Sequence, residues 1–227
     1  MNVALSRPPG KPSAARAAVG TAVAARLEAD PRVRRAKTDL VQAYYLPDFL
    51  SVDESRALCR MIDQHRRPST LLIEAKDPNF RTSESCDMDR FSPLVQPIDE
   101  RFAALLGIDP RFGETMQGQR YAPGQQFRAH HDYFHEGQPY WPRMDAEGGQ
   151  RTWTAMVYLN EVEEGGATWF PQGGIRVPPR RGMLLVWNNM APDGSPNPLT
   201  IHEGMMVTRG TKYIVTKWFR EKHWFRG

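Results

Sequence analysis

From Glu114 onward the chain is written as a succession of short strand-like runs separated by turn signals, and this punctuation limits the fold more than any other feature. The runs are Met116 to Tyr121, Gln126 to Asp132, Thr152 to Leu159, Ala167 to Phe170, Met183 to Trp187 and Lys212 to Phe219. Between them lie Ala122-Pro123-Gly124, Gly165-Gly166, Gln172-Gly173-Gly174 and Pro192-Asp193-Gly194, residues that supply the backbone angles of tight turns. Many short strands with Gly and Pro turns predict a sandwich or barrel. The fold class expected is mainly β with flanking α-helices, a double-stranded β-helix or jelly roll.

The preceding text differs. Val41 to Leu50 is an apolar run interrupted at Pro47, which suits a strand entering the domain. Ser51 followed by Glu54 is a capping box opening a helix whose Leu58, Met61 and Ile62 share one face, with its end near His65. A second helix is predicted after Ser92-Pro93, with Ile98, Phe102, Leu105 and Leu106 on one side and Gly107 as its stop. Single apolar stripes imply that both helices buttress a sheet from outside. Two segments look too irregular for strands. Residues 133–150, with Tyr140, Trp141 and Pro142, are long enough to form a lid, and residues 188–199, with Pro192, Pro196 and Pro198, form a loop.

Charge separates a basic beginning from a neutral remainder. Residues 1–40 hold eight Lys or Arg against three acids, which leaves 22 basic against 23 acidic residues from the totals of 30 and 26. The expected organisation is therefore an Ala-, Arg- and Pro-rich arm over residues 1–38, flexible or partly helical with little to bury, followed by one domain over residues 39–227. Such an arm can touch nucleic acid or another acidic partner, although a solvated tail explains the same charge. Two cysteines, Cys59 and Cys86, outside any Cys-x-x-Cys pair, cannot build a disulfide framework and fit a cytoplasmic location. No apolar run reaches the length of a membrane span.

Chemistry concentrates at Ala129-His130-His131-Asp132-Tyr133-Phe134. On an extended strand side chains alternate faces, so His130 and Asp132 point one way and His131 the other. A further histidine, His202, would complete two imidazoles and one carboxylate on one side of a metal, a set that suits non-haem Fe(II) and leaves positions open. A His-x-Asp pair alone is common, and the three histidines at 130, 131 and 135 could equally form a polar loop.

The motifs surrounding this pair make the case. Tyr121-Ala122-Pro123-Gly124 leads into His130-His131-Asp132. Arg151-Thr152-Trp153-Thr154 leads to Gly165-Gly166-Ala167-Thr168, and His202 is followed ten residues later by Lys212. In this order and spacing, the chain from about Val41 to Arg220 resembles the catalytic domain of the prolyl 4-hydroxylases, within the 2-oxoglutarate and Fe(II)-dependent dioxygenases. The resemblance implies Fe(II) held by His130, Asp132 and His202, with 2-oxoglutarate and O2 as co-substrates and ascorbate as an accessory. It implies decarboxylation of 2-oxoglutarate to succinate and CO2, coupled to hydroxylation of an unactivated C–H bond, with prolyl residues of a peptide or protein as the expected substrate. Asp132 argues for hydroxylation, because halogenating relatives carry a small residue there.

By the same resemblance Lys212 pairs with the far carboxylate of 2-oxoglutarate, and Tyr121 and Thr168 donate hydroxyl hydrogen bonds to that end. Arg81, Ser83, Glu114, Arg151 and Trp218 fall on positions that bind the prime substrate. Two positions depart from the pattern: Phe127 stands where a tyrosine is expected three residues before the first ligand, and Arg220 stands where a histidine follows the tryptophan by two. Both departures bear on the substrate and keep two further readings open, a hydroxylase of a free amino acid or other small molecule and a non-catalytic metal-binding or sensing module.

Overall fold

The computed structural model describes residues 10–73 and 77–224; residues 1–9, the start of the expected arm, and 225–227 lie outside the described residues. Two antiparallel sheets face one another. The larger has eight strands in the order β1 (Arg34–Arg35), β2 (Ala43–Leu46), β11 (Leu184–Asn188), β7 (Arg151–Tyr158), β14 (Lys212–Arg220), β5 (Gln117–Tyr121), β4 (Glu84–Asp87) and β3 (Arg67–Pro68). The smaller orders β10 (Ile175–Val177), β9 (Thr168–Phe170), β12 (His202–Gly204) and β6 (Phe127–His130), and β13 (Val207–Arg209) pairs with β8 (Glu164–Gly165). This is the jelly roll expected from the turn punctuation.

The central strands β7 and β14 are buried on both faces, which is why they read as nearly continuous apolar runs. Their period-two alternation divides the molecule into two cores. Trp153, Ala155, Val157, Val215 and Phe219 face the helical layer, while Met156, Tyr158 and Ile214 face the smaller sheet. Helix α2 (Val52–His65) opens with the expected capping box: the Ser51 hydroxyl accepts from the Glu54 amide and the Glu54 carboxylate accepts from the Ser51 amide. Helix α3 (Val95–Leu106) ends at Gly107, whose φ of 69° favours glycine.

The N-terminal segment corrects an expectation. Ala14–Ala29 is a sixteen-residue helix, α1, packed against α3 and β7, and Val23, Ala24 and Leu27 are buried. Each fully buried Val or Leu stabilises by about 1.5–3 kcal/mol, so residues expected to have little to bury contribute to the core. Four of its basic side chains are engaged within the protein: Arg16 with Glu136 and Glu221, Arg26 with the carbonyls ending α3, Arg32 with Asp30 and Arg35 with Glu28. The segment 133–150 is also less irregular than expected, because Trp141–Ala146 forms a short helix, α4, with Pro142 in its first turn, where a missing N–H costs nothing. Tyr140 anchors this segment: its hydroxyl accepts from the His135 amide at 3.0 Å and its ring lies against Phe134.

Candidate active site

His130 ends β6 and His202 begins β12, and the two are directly opposed partners of one antiparallel pair. They therefore meet side by side within the smaller sheet and not across the barrel. β6 stops at His130, shorter than the expected run to Asp132, and Asp132 follows in a bend. The three side chains still converge: the Asp132 Oδ1 lies 3.8 Å from His130 Nε2 and 3.9 Å from His202 Nε2, and the ligand atoms all lie within 4.8 Å of one another.

The remaining polar atoms of this trio are tied down. Nδ1 of His130 lies 2.8 Å from the Arg128 carbonyl and Nδ1 of His202 lies 3.0 Å from the Thr200 carbonyl. As donors to those carbonyls, both rings present an unprotonated Nε2 lone pair to the centre. The Thr154 hydroxyl donates to Asp132 Oδ2 at 2.8 Å, and Asn189 Nδ2 donates to that hydroxyl at 2.8 Å, leaving Oδ1 free. Burial and the neighbouring His202 hold the His130 imidazolium down to about 3, so the ring is neutral at ordinary pH. Burial raises the Asp132 carboxyl, but His202, His130, Arg151 and the Thr154 hydrogen bond outweigh it and leave the carboxyl below its usual value. Two imidazoles that turn Nε2 inward and a carboxylate are a donor set fit for a divalent transition metal.

The trio lines a cavity of about 840 Å³. Lys212, at the start of β14, reaches into it and is 1% exposed. Among the described residues it has no carboxylate partner; its ammonium lies 5.1 Å from the Tyr121 ring and 5.6 Å from the Tyr158 ring. Burial without an anion lowers the amine to about 7. Gly204 opens the space in front of it: a Cβ there would sit 3.7 Å from the Tyr121 hydroxyl and 3.8 Å from Lys212 Nζ. A buried, unpaired cation beside such a space fits an anionic co-substrate.

The other expected residues divide. Tyr121 and Thr168 line the cavity, but the Tyr121 hydroxyl donates to Gln119 Oε1 at 2.6 Å, and Thr168 Oγ1 accepts from the Tyr158 hydroxyl at 2.7 Å. Arg81, Glu114, Arg151 and Trp218 also line it. Ser83 does not. It is buried behind Arg81, its hydroxyl shared with Ser69 at 3.0 Å and with Arg81 Nε at 3.3 Å, so it supports a wall it was expected to form. Arg81 itself is bridged to Phe127 and stands 4.6 Å over its ring, and the same ring stacks on His130 at 3.5 Å.

Glu114 accepts from Arg151 at 2.7 Å on each oxygen and from Arg220 at 2.9 Å, and Arg220 also donates to the Met144 carbonyl at 2.8 Å. Thr154, Asn189, Gln119 and Gly204 were not identified from the sequence. Thr154 and Asn189 act through partners 22 and 35 residues away, a signal that appears only when topology joins the strands; Gln119 acts on Tyr121 two residues along β5, and Gly204 through the lack of a side chain.

Fold and site together define a jelly-roll oxygenase centre. The sequence profile of the 2OG-Fe(II) oxygenase superfamily matches residues 116–220. Prolyl 4-hydroxylase 1 of Arabidopsis thaliana is 32% identical over 198 residues, covering 78% of this chain and 68% of that protein. The prolyl 4-hydroxylase subunit alpha-3 of Rattus norvegicus is 32% identical over 80% of this chain and 34% of its own length. The solved structure of a viral collagen prolyl hydroxylase from Paramecium Bursaria Chlorella virus-1, as its 2OG complex, superposes with a TM-score of 0.62 and 26% identity, covering 78% of this chain and 95% of that one. The chain belongs to the prolyl 4-hydroxylase family of 2OG-Fe(II) oxygenases. It is a dioxygenase whose family uses Fe(II), 2-oxoglutarate and O2.

Proposed function

We propose that this dioxygenase hydroxylates prolyl residues of a peptide or protein, with His130, Asp132 and His202 as the Fe(II) ligands and Lys212 as the partner of the 2-oxoglutarate far carboxylate. The observation that carries the co-substrate assignment is the isolation of Lys212: it is buried, without an anion, in the same cavity as the three converging ligands. When bound, Fe(II) with 2-oxoglutarate and O2 supplies the oxidising power that converts a C–H bond to C–OH, with succinate and CO2 as co-products.

The chain's own residues hold and orient. The Arg128 and Thr200 carbonyls fix the tautomers of the two histidines, and Thr154 with Asn189 fixes the free oxygen of Asp132. Tyr121 and Thr168 bound the space in front of Lys212, and buried Phe170 and Trp187 pack against the His202 ring and shield that end from water. Arg81, Arg151 and Trp218 form the wall available to the prime substrate, with Ser83 and Glu114 holding the two arginines in place. Two free thiols support a reducing, cytoplasmic setting, and among the described residues no helix is long and apolar enough to cross a membrane.

The test is incubation of purified enzyme, Fe(II), 2-oxoglutarate and O2 with proline-containing peptides. Succinate formed in step with hydroxyproline, above the peptide-free background, is the expected result. Succinate at the background rate with unmodified peptides would remove prolyl substrates.

A further inference from the structure

The charges lining the cavity do not cancel once each is given its partner. Lys212 and Asp132 belong to the co-substrate and metal. Asp87 and Glu147 at the rim are met by Arg67 at 2.6 Å and Arg143 at 3.9 Å. What remains is Arg81, Arg151 and Arg220 facing the single carboxylate of Glu114. Both oxygens of Glu114 are already engaged by Arg151 and Arg220. Among the described residues Arg81 bonds neutral acceptors: the Ser83 hydroxyl, the Thr70 carbonyl and the Gln117 side-chain oxygen. This end thus holds, among the described residues, three guanidiniums and one hydrogen-bonded carboxylate, with Glu147 acting on Arg220 from farther off, in a partly enclosed space where attraction is stronger than in water.

One of these guanidiniums is also presented for use. Arg151 turns Nε and Nη2 to Glu114, while its Nη1 makes no hydrogen bond among the described residues. The group is held 4.1 Å from the Trp218 ring and 5.0 Å from the Phe134 ring, so its free edge is oriented before any ligand arrives. Arg220 cannot lose its charge at any working pH, unlike the histidine expected at its position.

We infer that this end of the cavity selects an acidic peptide, one with a Glu or Asp side chain beside the hydroxylated proline, received by Arg151 and Arg81 and favoured by the fixed charge of Arg220. The inference rests on the prolyl reading and adds the substrate's charge.

The experiment compares peptides of one length with a single proline flanked by Glu, Gln or Lys, with kcat/KM read from hydroxyproline at low and high ionic strength. The Glu peptide is expected to exceed the Gln peptide by roughly tenfold, the factor supplied by one charge-assisted hydrogen bond. The Lys peptide should fall below both, and added salt should narrow the spread. Arg220→His should shrink the Glu-to-Gln ratio. If that variant does not fold, Arg81→Gln carries the same expectation, because it leaves Glu114 paired. Equal rates on Glu and Gln peptides, or a preference for Lys, overturn the charge selection while prolyl hydroxylation stands. Absence of hydroxyproline in every peptide instead overturns the prolyl reading and the acidic-peptide assignment with it.

Discussion

At one end of the cavity Lys212 stands buried with no anion beside it among the described residues, whereas at the other Glu114 is shared by two guanidiniums and a third, Arg81, lies nearby. The first end keeps an ammonium without an anion among the described residues, and burial lowers its amine to about 7. The second end is built around an anion of its own, Glu114, and keeps a surplus of guanidinium beside it. A buried charge that waits for a ligand is thus distinguishable from one held by its neighbours, and the two should respond oppositely to substitution.

The largest effect is expected at the shared carboxylate. Glu114→Gln leaves Arg151 and Arg220 without their anion and should destabilise the fold by about 3–5 kcal/mol, measured by chemical denaturation. Lys212→Met should do the reverse. Removing a buried unpaired charge leaves stability unchanged or raised, while 2-oxoglutarate affinity drops by roughly 10- to 100-fold, measured by calorimetry on the Fe(II) form. A loss of stability comparable to that of Glu114→Gln would erase the distinction between the two ends.

The N-terminal helix sharpens the comparison further. Arg16 ties α1 to Glu136 at 2.8 Å and Glu221 at 3.2 Å. Gln150 holds the same segment through the Phe134 amide and carbonyl at 2.9 and 2.6 Å. Phe134 in turn faces both Arg151 and Arg220. Arg16→Met should cost about 1–3 kcal/mol of stability and raise the peptide KM, with little change in 2-oxoglutarate affinity. Equal changes in both would mean that α1 supports the whole cavity.

The smallest effect is the pH dependence of co-substrate binding. The free amine of Lys212, lowered to about 7, is charged below that pH and neutral above it. A dianion binds the charged form, so binding above pH 7 takes up a proton. Affinity should be level below 7 and weaken by up to about tenfold per pH unit above it, as titrations in buffers of different ionisation enthalpy will detect. Level affinity from pH 7 to 9 would mean that Lys212 stays charged without its ligand.

Much of this was legible in the chain because it was local. The capping box at Ser51, the glycine stop at Gly107 and the turn punctuation act within a few residues, and His130 and Asp132 are two apart. What escaped was either too short or too distant. Strands of two to four residues, such as β3, β4, β12 and β13, carry no period to recognise and form because neighbours pair with them. Helix α1 looked like an arm because alanine and glycine dilute its apolar stripe, yet small residues such as Gly20 and Ala24 allow it to lie close to the core. The hydroxyl of Thr154 on Asp132 and the sharing of Glu114 between Arg151 and Arg220 span 22, 37 and 106 residues, beyond the reach of a motif.

The most direct test of the account is anaerobic addition of Fe(II) and then 2-oxoglutarate to the purified protein, following the weak visible charge-transfer band of the chelate in wild type, His130→Ala and Lys212→Met. The account predicts a saturable band in wild type, none in His130→Ala, and in Lys212→Met a band that requires much higher 2-oxoglutarate. No band in wild type, or an unaltered one in His130→Ala, would contradict the assignment of this site to iron and its co-substrate.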